Sequence, residues 1–161
     1  MTLEETVQAL KDRYDILETK YAYCRYADDN DHEGMLSVMT DDCVVDYIPG
    51  GEATLRGKTE LRAMLVEFLG NVVSGWHLIG NPEFHFESAD RVAVKAYMYS
   101  WQRFKGHPMT ADCHRWGRYE DLFVRTDTGW KIAQLRLFSA GEYGGERIAE
   151  QFGRAFPPGF G

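Results

Sequence analysis

Apolar residues recur along the first part of the chain at alternating four- and three-residue steps: Leu3, Val7, Leu10, Tyr14, Leu17, Tyr21 and Cys24. The spacing predicts one long amphipathic helix with this stripe turned inward. The same stepping next reaches Asp28 and Asp31, so the stripe turns acidic where it should end in core. A short second helix is expected, with Met35, Leu36, Val38 and Met39 as its apolar side. Asn30 and Glu33 have capping-box-like spacing for its start. Thr40-Asp41-Asp42 reads as a turn, and Cys43 to Ile48 as a strand closed by Pro49-Gly50-Gly51. Leu61, Met64, Leu65 and Phe68 form the inward stripe of a third helix, running roughly from Lys58 to Gly70.

The remainder reads mostly as strand. Gly75 to Ile79 is one piece, Gly80-Asn81-Pro82 marks a bulge or bend, and Glu83 to Glu87 continues it. Arg91 to Phe104 follows a turn at Ser88-Ala89-Asp90 and breaks at Lys105-Gly106-His107-Pro108. Thr110 to Arg125 and Trp130 to Phe138 are the last two strands, joined by a turn at Thr126-Asp127-Thr128-Gly129. The tail from about residue 140, ending AFPPGFG, is expected to be irregular. Helices first and consecutive strands afterwards indicate an α+β fold, with helices on one face of a curved antiparallel sheet. Such a sheet, closed by N-terminal helices, forms a cone around an internal pocket.

A length of 161 residues without repeats or linkers predicts one domain over 1–161. The net charge of −7 argues against a nucleic-acid binder and against a polybasic membrane-surface module. No apolar run approaches the roughly 20 residues that span a bilayer, and the N-terminus has no apolar signal core. Three widely spaced cysteines, Cys24, Cys43 and Cys113, read as reduced thiols of a cytoplasmic protein and not as a disulfide framework. The 9 Phe, 9 Tyr and 4 Trp suit a core around a partly polar cavity.

The acidic cluster Asp28, Asp29, Asp31 carries the first candidate chemistry. A calcium loop starting at Asp29 fails, because its twelfth position is Thr40 where a bidentate Glu is needed. Asp31 reads either as a carboxylate favoured by a helix dipole or as a buried acid that needs a partner. The stripe favours the second reading, and the best partner is His77 in the apolar strand GWHLIGNP. An Asp–His pair fixes the imidazole tautomer, so the other ring nitrogen can take a proton. Tyr47, on the side of Val45 and Cys43, is a core aromatic or a hydroxyl donor to a substrate carbonyl. Tyr26, five residues before Asp31, has the same two readings. Tyr99, Trp101, His114, Trp116 and Phe138 read as a mixture of core and pocket lining. Alternation puts His114 and Trp116 on one face of their strand and Tyr119 on the other; which face points inward is open. Of the other histidines, His32 and His85 are expected at the surface and His107 in a loop. No spacing suggests a metal site, a phosphate loop or a nucleophile elbow, so neither metal nor cofactor is expected. Cys43 and Cys113 read as packing thiols.

The order YADDND, TDDCVVDY, LRGKTEL, GWHLIGNP and TGWKI resembles the SnoaL-like group of the nuclear-transport-factor-like cone fold, over roughly Leu10 to Phe138. Within it the chain is similar to scytalone dehydratase, hexachlorocyclohexane dehydrochlorinase and bile acid 7α-dehydratase. The resemblance implies that an Asp at the end of the first helix pairs with a His on the strand after the third helix. Those positions match Asp31 and His77, making His77 the general base and Asp31 its orienting partner. A scytalone dehydratase tyrosine matches Tyr47; another, next to the aspartate, is replaced by Asn30. That enzyme's second histidine falls near Trp101. The bile acid enzyme's tyrosine, five residues before the aspartate, matches Tyr26. The expectation is a cofactor-independent lyase, a dehydratase acting on a small hydrophobic cyclic or polycyclic ketone. An isomerase or polyketide cyclase using the same dyad is an alternative, as is a non-catalytic ligand-binding or oxygenase small-subunit-like protein. Homo-oligomerisation is expected from the aromatics of the open sheet face, and the resemblance implies a trimer or dimer.

Overall fold

A computed structural model describes residues 2–49, 54–106 and 112–144. Helix α1 (Leu3–Asp28) starts at Thr2, whose hydroxyl accepts from the Glu5 N–H while the Glu5 carboxylate accepts from the Thr2 N–H. Its buried side shares only Cys24 with the apolar stripe. Leu3, Val7, Leu10 and Tyr14 are exposed, whereas Asp12, Ile16, Lys20, Tyr23, Cys24 and Ala27 are buried. The inward face tolerates charge because each charge finds a partner. Asp12 accepts from the Arg125 guanidinium at 2.8 Å, and Lys20 Nζ lies 2.7 Å from Asp121 Oδ2. Hydrophobic periodicity therefore located the helix but mis-set its rotation by roughly one face.

Helix α2 (His32–Ser37) is short and capped by Asp31, not by Asn30. Asn30 instead takes a left-handed conformation with φ 57°, which turns the chain between the two helices. Strand β1 (Met39–Asp46) includes Thr40-Asp41-Asp42, which is therefore strand and not the expected turn. A two-residue β2 (Leu55–Arg56) leads into α3 (Gly57–Leu69), close to its expected span. The long strands are β3 (Val72–Ser88), β4 (Arg91–Phe104), β5 (Cys113–Thr126) and β6 (Gly129–Tyr143). Strand β6 runs past the point where the tail was expected to turn irregular. His107 and the Phe156–Phe160 tail lie outside the described residues.

The strands form one six-stranded open sheet in the order β2-β1-β6-β5-β4-β3. Pairings are antiparallel except β1 with β6, which run parallel, so the sheet is mixed and not wholly antiparallel. The connectivity permits the parallel pair, since β1 and β6 are joined by a connection far longer than a hairpin. A bulge in β3 falls where the sequence placed it. The register shifts between Gly80 and Glu83, and Asn81 has φ 51°. Alternation sorts each strand into two faces. In β4, Val92, Val94, Ala96, Met98 and Ser100 are buried, while Lys95 and Tyr97 are exposed. The inner face packs on the three helices through Ile16, Leu36, Leu61, Leu65, Phe123 and Ile132, each 2 % exposed or less. Full burial of such a side chain contributes roughly 1.5–3 kcal/mol. The architecture is the expected α+β arrangement of N-terminal helices against one face of a curved sheet.

Candidate active site

The last residue of α1 meets the middle of β3. Asp28 Oδ1 lies 2.6 Å from His77 Nδ1, and Asp28 Oδ2 accepts the His77 backbone N–H at 3.2 Å. Both oxygens of one carboxylate thus hold one histidine, by its ring and by its backbone. The side chains are 20 % and 10 % exposed respectively. The carboxylate contact places the neutral ring's proton on Nδ1 and leaves Nε2 with its lone pair. Among the described residues nothing else hydrogen-bonds to the ring.

The aspartate is therefore not the expected one. Asp31 Oδ1 accepts the Gly34 N–H at 2.8 Å and caps α2. Gly34 sits so tightly that a methyl group there would lie 2.5 Å from Asp31 Oδ2 and 2.3 Å from Tyr26 Cδ1. Asp31 and the Tyr26 ring are both packed on the first turn of α2, and the structure does not bring Asp31 to His77. The reason is local. Helix α1 ends at Asp28, and the left-handed Asn30 redirects the chain before Asp31. The signal was already in the stepping, which reached Asp28 first, one turn beyond Cys24.

Tyr47 follows β1 on the inner side, as expected from Val45 and Cys43. Its hydroxyl lies 2.5 Å from that of Tyr23, a buried α1 residue that sequence reasoning passed over. Burial raises both phenols above their ordinary range, so both are neutral hydroxyls at physiological pH. The Lys20–Asp121 pair lies in the same interior, each side chain 3 % exposed, with Lys20 Nζ 3.3 Å from the centre of the Tyr119 ring. Burial pushes the Asp121 carboxyl up, against the pull of Lys20. Lys20 and Tyr23 could have been found by reading a second helical face, Asp12, Ile16, Lys20, Tyr23 and Ala27. Burial also raises all three thiols, that of Cys24 to about 11, which keeps them protonated.

The five residues expected to line the pocket lie elsewhere. Tyr99, Trp101, His114, Trp116 and Phe138 all project from the outer sheet face, opposite His77, because their direct cross-strand partners are Leu78, Trp76, Tyr143, Gly141 and Arg118. Tyr99 Oη is 2.7 Å from His114 Nδ1, and Trp101 Nε1 donates to Asp112 at 3.1 Å. The inner face carries a different set. His77 pairs with Ser100, Ser100 with Arg115, and Arg115 with Glu142, in one row across β3 to β6. Arg115 Nη2 lies 3.4 Å from Glu142 Oε2. Glu142 had been assigned to the irregular tail. Arg115 shares its face with Tyr119 by alternation, a relation that sequence alone could supply but not orient.

A concavity of about 430 Å³ on the outer face, lined by Glu83, His85, Arg91, Lys95, Glu120 and Arg136 among others, mixes both charges and lies away from the dyad. Among the described residues no group of three His, Cys, Asp or Glu is placed to hold a metal ion. No described helix is long and apolar enough to cross a membrane.

Sheet, helices and an interior Asp–His pair define a class, the small α+β cone with a polar inner wall. Residues 8–136 match the SnoaL-like domain family, and the chain belongs to that family. An uncharacterized protein of Mycobacterium tuberculosis is 27 % identical over 128 residues, covering 79 % of this chain and 84 % of the relative. A Novosphingobium aromaticivorans protein provisionally named scytalone dehydratase superposes with a TM-score of 0.79 at 22 % identity, over 86 % of this chain and 90 % of that one. The hexachlorocyclohexane dehydrochlorinase LinA-type3 of Novosphingobium barchaimii superposes with a TM-score of 0.73 at 17 % identity, over 86 % of this chain and 92 % of that one. At these identities the two structures establish the common fold.

Proposed function

We propose that this protein is a cofactor-independent lyase that eliminates water from a small hydrophobic cyclic ketone, with His77 as general base and Asp28 as its orienting partner. The observation that carries the reading is the 2.6 Å contact between Asp28 and His77 Nδ1 on the inner face. His77 Nε2 takes a proton from the carbon next to the carbonyl, and the C–H electron pair moves into an enolate. Asp28 stabilises the imidazolium. The enolate then expels the β-hydroxyl group, which leaves as water with the proton returned from Nε2. General acid–base catalysis of this kind contributes about 10²- to 10⁴-fold. The names of the two fold relatives both denote eliminations, of water and of hydrogen chloride, which accords with a shared base. The resemblance assigns a tyrosine five residues before the aspartate. With Asp28 in that role it becomes Tyr23 in place of Tyr26, and Tyr23 is the residue hydrogen-bonded to Tyr47. One of these neutral hydroxyls donates to the other, which leaves the pair one O–H to donate to a substrate oxygen.

The test is mass spectrometry of a panel of ring β-ketols incubated with the protein in D₂O. Loss of one water, abolished in His77→Ala, supports the lyase. Deuterium uptake without loss of water indicates an isomerase or cyclase using the same base. Neither change in any ketol overturns proton-transfer chemistry. Homo-oligomerisation belongs to the same reading: Trp76, Leu78, Tyr97, Trp116 and Tyr143 are exposed on the outer face, and a second copy covers them. A monomer in sedimentation velocity rejects that part.

A further inference from the structure

The inner row of His77, Ser100, Arg115 and Glu142 contains a second charged pair that the elimination scheme leaves unused. We propose that Arg115, neutralised and oriented by Glu142, donates to the substrate oxygen that becomes negative as His77 takes its proton, and that the group it accepts is an uncharged carbonyl and not a carboxylate or phosphate. The inference rests on the lyase reading for its direction and adds a charged donor to the carbonyl oxygen and the charge class of the substrate.

Directly opposed residues on neighbouring strands point to one face, so the imidazole and the guanidinium project from the same, inner face of the sheet. Two interstrand steps of about 4.8 Å put their Cα atoms about 10 Å apart. Ser100 between them is buried and small, so the interval has a floor and no bulky divider. The proposed ring ketone bridges that interval with its acidic C–H toward His77 and its oxygen toward Arg115. Burial raises the Tyr119 hydroxyl and the Cys113 thiol, both on the inner face, and the Arg115 charge opposes that rise in each, so the guanidinium acts inward.

Charge then selects the ligand. Arg115 is matched by Glu142, Lys20 by Asp121, and His77 by Asp28. Among the described residues these interior cations each face a carboxylate, and so they offer no surplus positive charge to a permanent anion. A neutral carbonyl enters without displacing the Glu142 carboxylate, and the substrate oxygen presents full charge to the guanidinium only when the enolate forms. An interaction that strengthens as the transition state is reached raises kcat more than it lowers KM.

The experiment uses the full chain, with 2-naphtholate as a mimic of the cyclic enolate and 2-decalone as its neutral counterpart. The wild type is expected to bind naphtholate more tightly than naphthol. Arg115→Met, checked for folding by circular dichroism, loses about tenfold to a hundredfold in naphtholate affinity, Arg115→Lys recovers part, and 2-decalone affinity stays within about threefold. Glu142→Gln, which leaves the guanidinium in place, binds naphtholate more tightly and gains affinity for cyclohexanecarboxylate. It decides the question if Arg115→Met does not fold. Unchanged naphtholate binding in folded Arg115→Met overturns the proposal. So does an equal loss for both probes, or no gain for either anion in Glu142→Gln. The lyase reading fails independently, by an unreacted ketol panel, whatever the probes do.

Discussion

Exchanging the two candidate aspartates one at a time separates catalysis from capping. Asp28→Asn preserves size and removes the charge facing the imidazole. With the Asp28 oxygen 2.6 Å from Nδ1, the centres of charge are about 4 Å apart when the ring is protonated. At the effective dielectric of about 20 suited to partly buried pairs, the attraction is about 4 kcal/mol. Each 1.36 kcal/mol is tenfold in rate, so turnover falls by about 10³. Asn also disturbs the tautomer, which acts in the same direction. Asp31→Asn behaves differently: Asn caps a helix as well as Asp does, so the Gly34 contact survives and neither turnover nor stability moves by more than a few tenths of a kcal/mol. The assay is kcat/KM on whichever ring ketol reacts, with thermal unfolding as the folding control. Equal losses in both variants, or a loss confined to Asp31→Asn, would refute the assignment of Asp28.

Two further tests concern the interior. Lys20→Met leaves Asp121 sealed from water without its cation and costs about 3–5 kcal/mol in urea unfolding, while Lys20→Met with Asp121→Leu recovers most of it; a single-variant cost under about 1 kcal/mol defeats this account. Burial raises the Asp12 carboxyl, but hydrogen bonds from Arg125, Gln8 and Trp130 outweigh it, and the net effect is a pKa below the ordinary carboxylate value. Because the folded pKa is the lower one, this stabilisation is complete above about pH 4 and disappears as pH falls through the folded value. Arg125→Met should flatten that acid limb of the stability curve, and an unchanged limb counts against the pairing.

Most of the fold was legible because it rests on local periodicity and turn chemistry. The three helices, the β3 bulge at Asn81 and the β4–β5–β6 meander follow from residue spacing and breakers within a few positions. The rotation of α1 was not, because its buried face carries Asp12 and Lys20. Their partners, Arg125 and Asp121, lie more than a hundred residues away, and hydropathy alone scores such residues as solvent-facing. His77 stood out as a histidine in an apolar strand. Its partner was missed by one helical turn, since a single left-handed residue, Asn30, decides whether the next carboxylate faces the sheet or caps a helix.

By itself the sequence determined the order and kind of elements, the helices-then-strands plan, and His77 with the acids near the end of α1 as candidates. Tertiary structure alone decided which acid that is, that Tyr99, Trp101, His114, Trp116 and Phe138 face outward, and that Arg115 and Glu142 stand in the histidine's row. Alternation along a strand divides its residues into two sets with certainty. Which set is covered depends on where the helices land, and that is set by contacts between residues far apart in the chain.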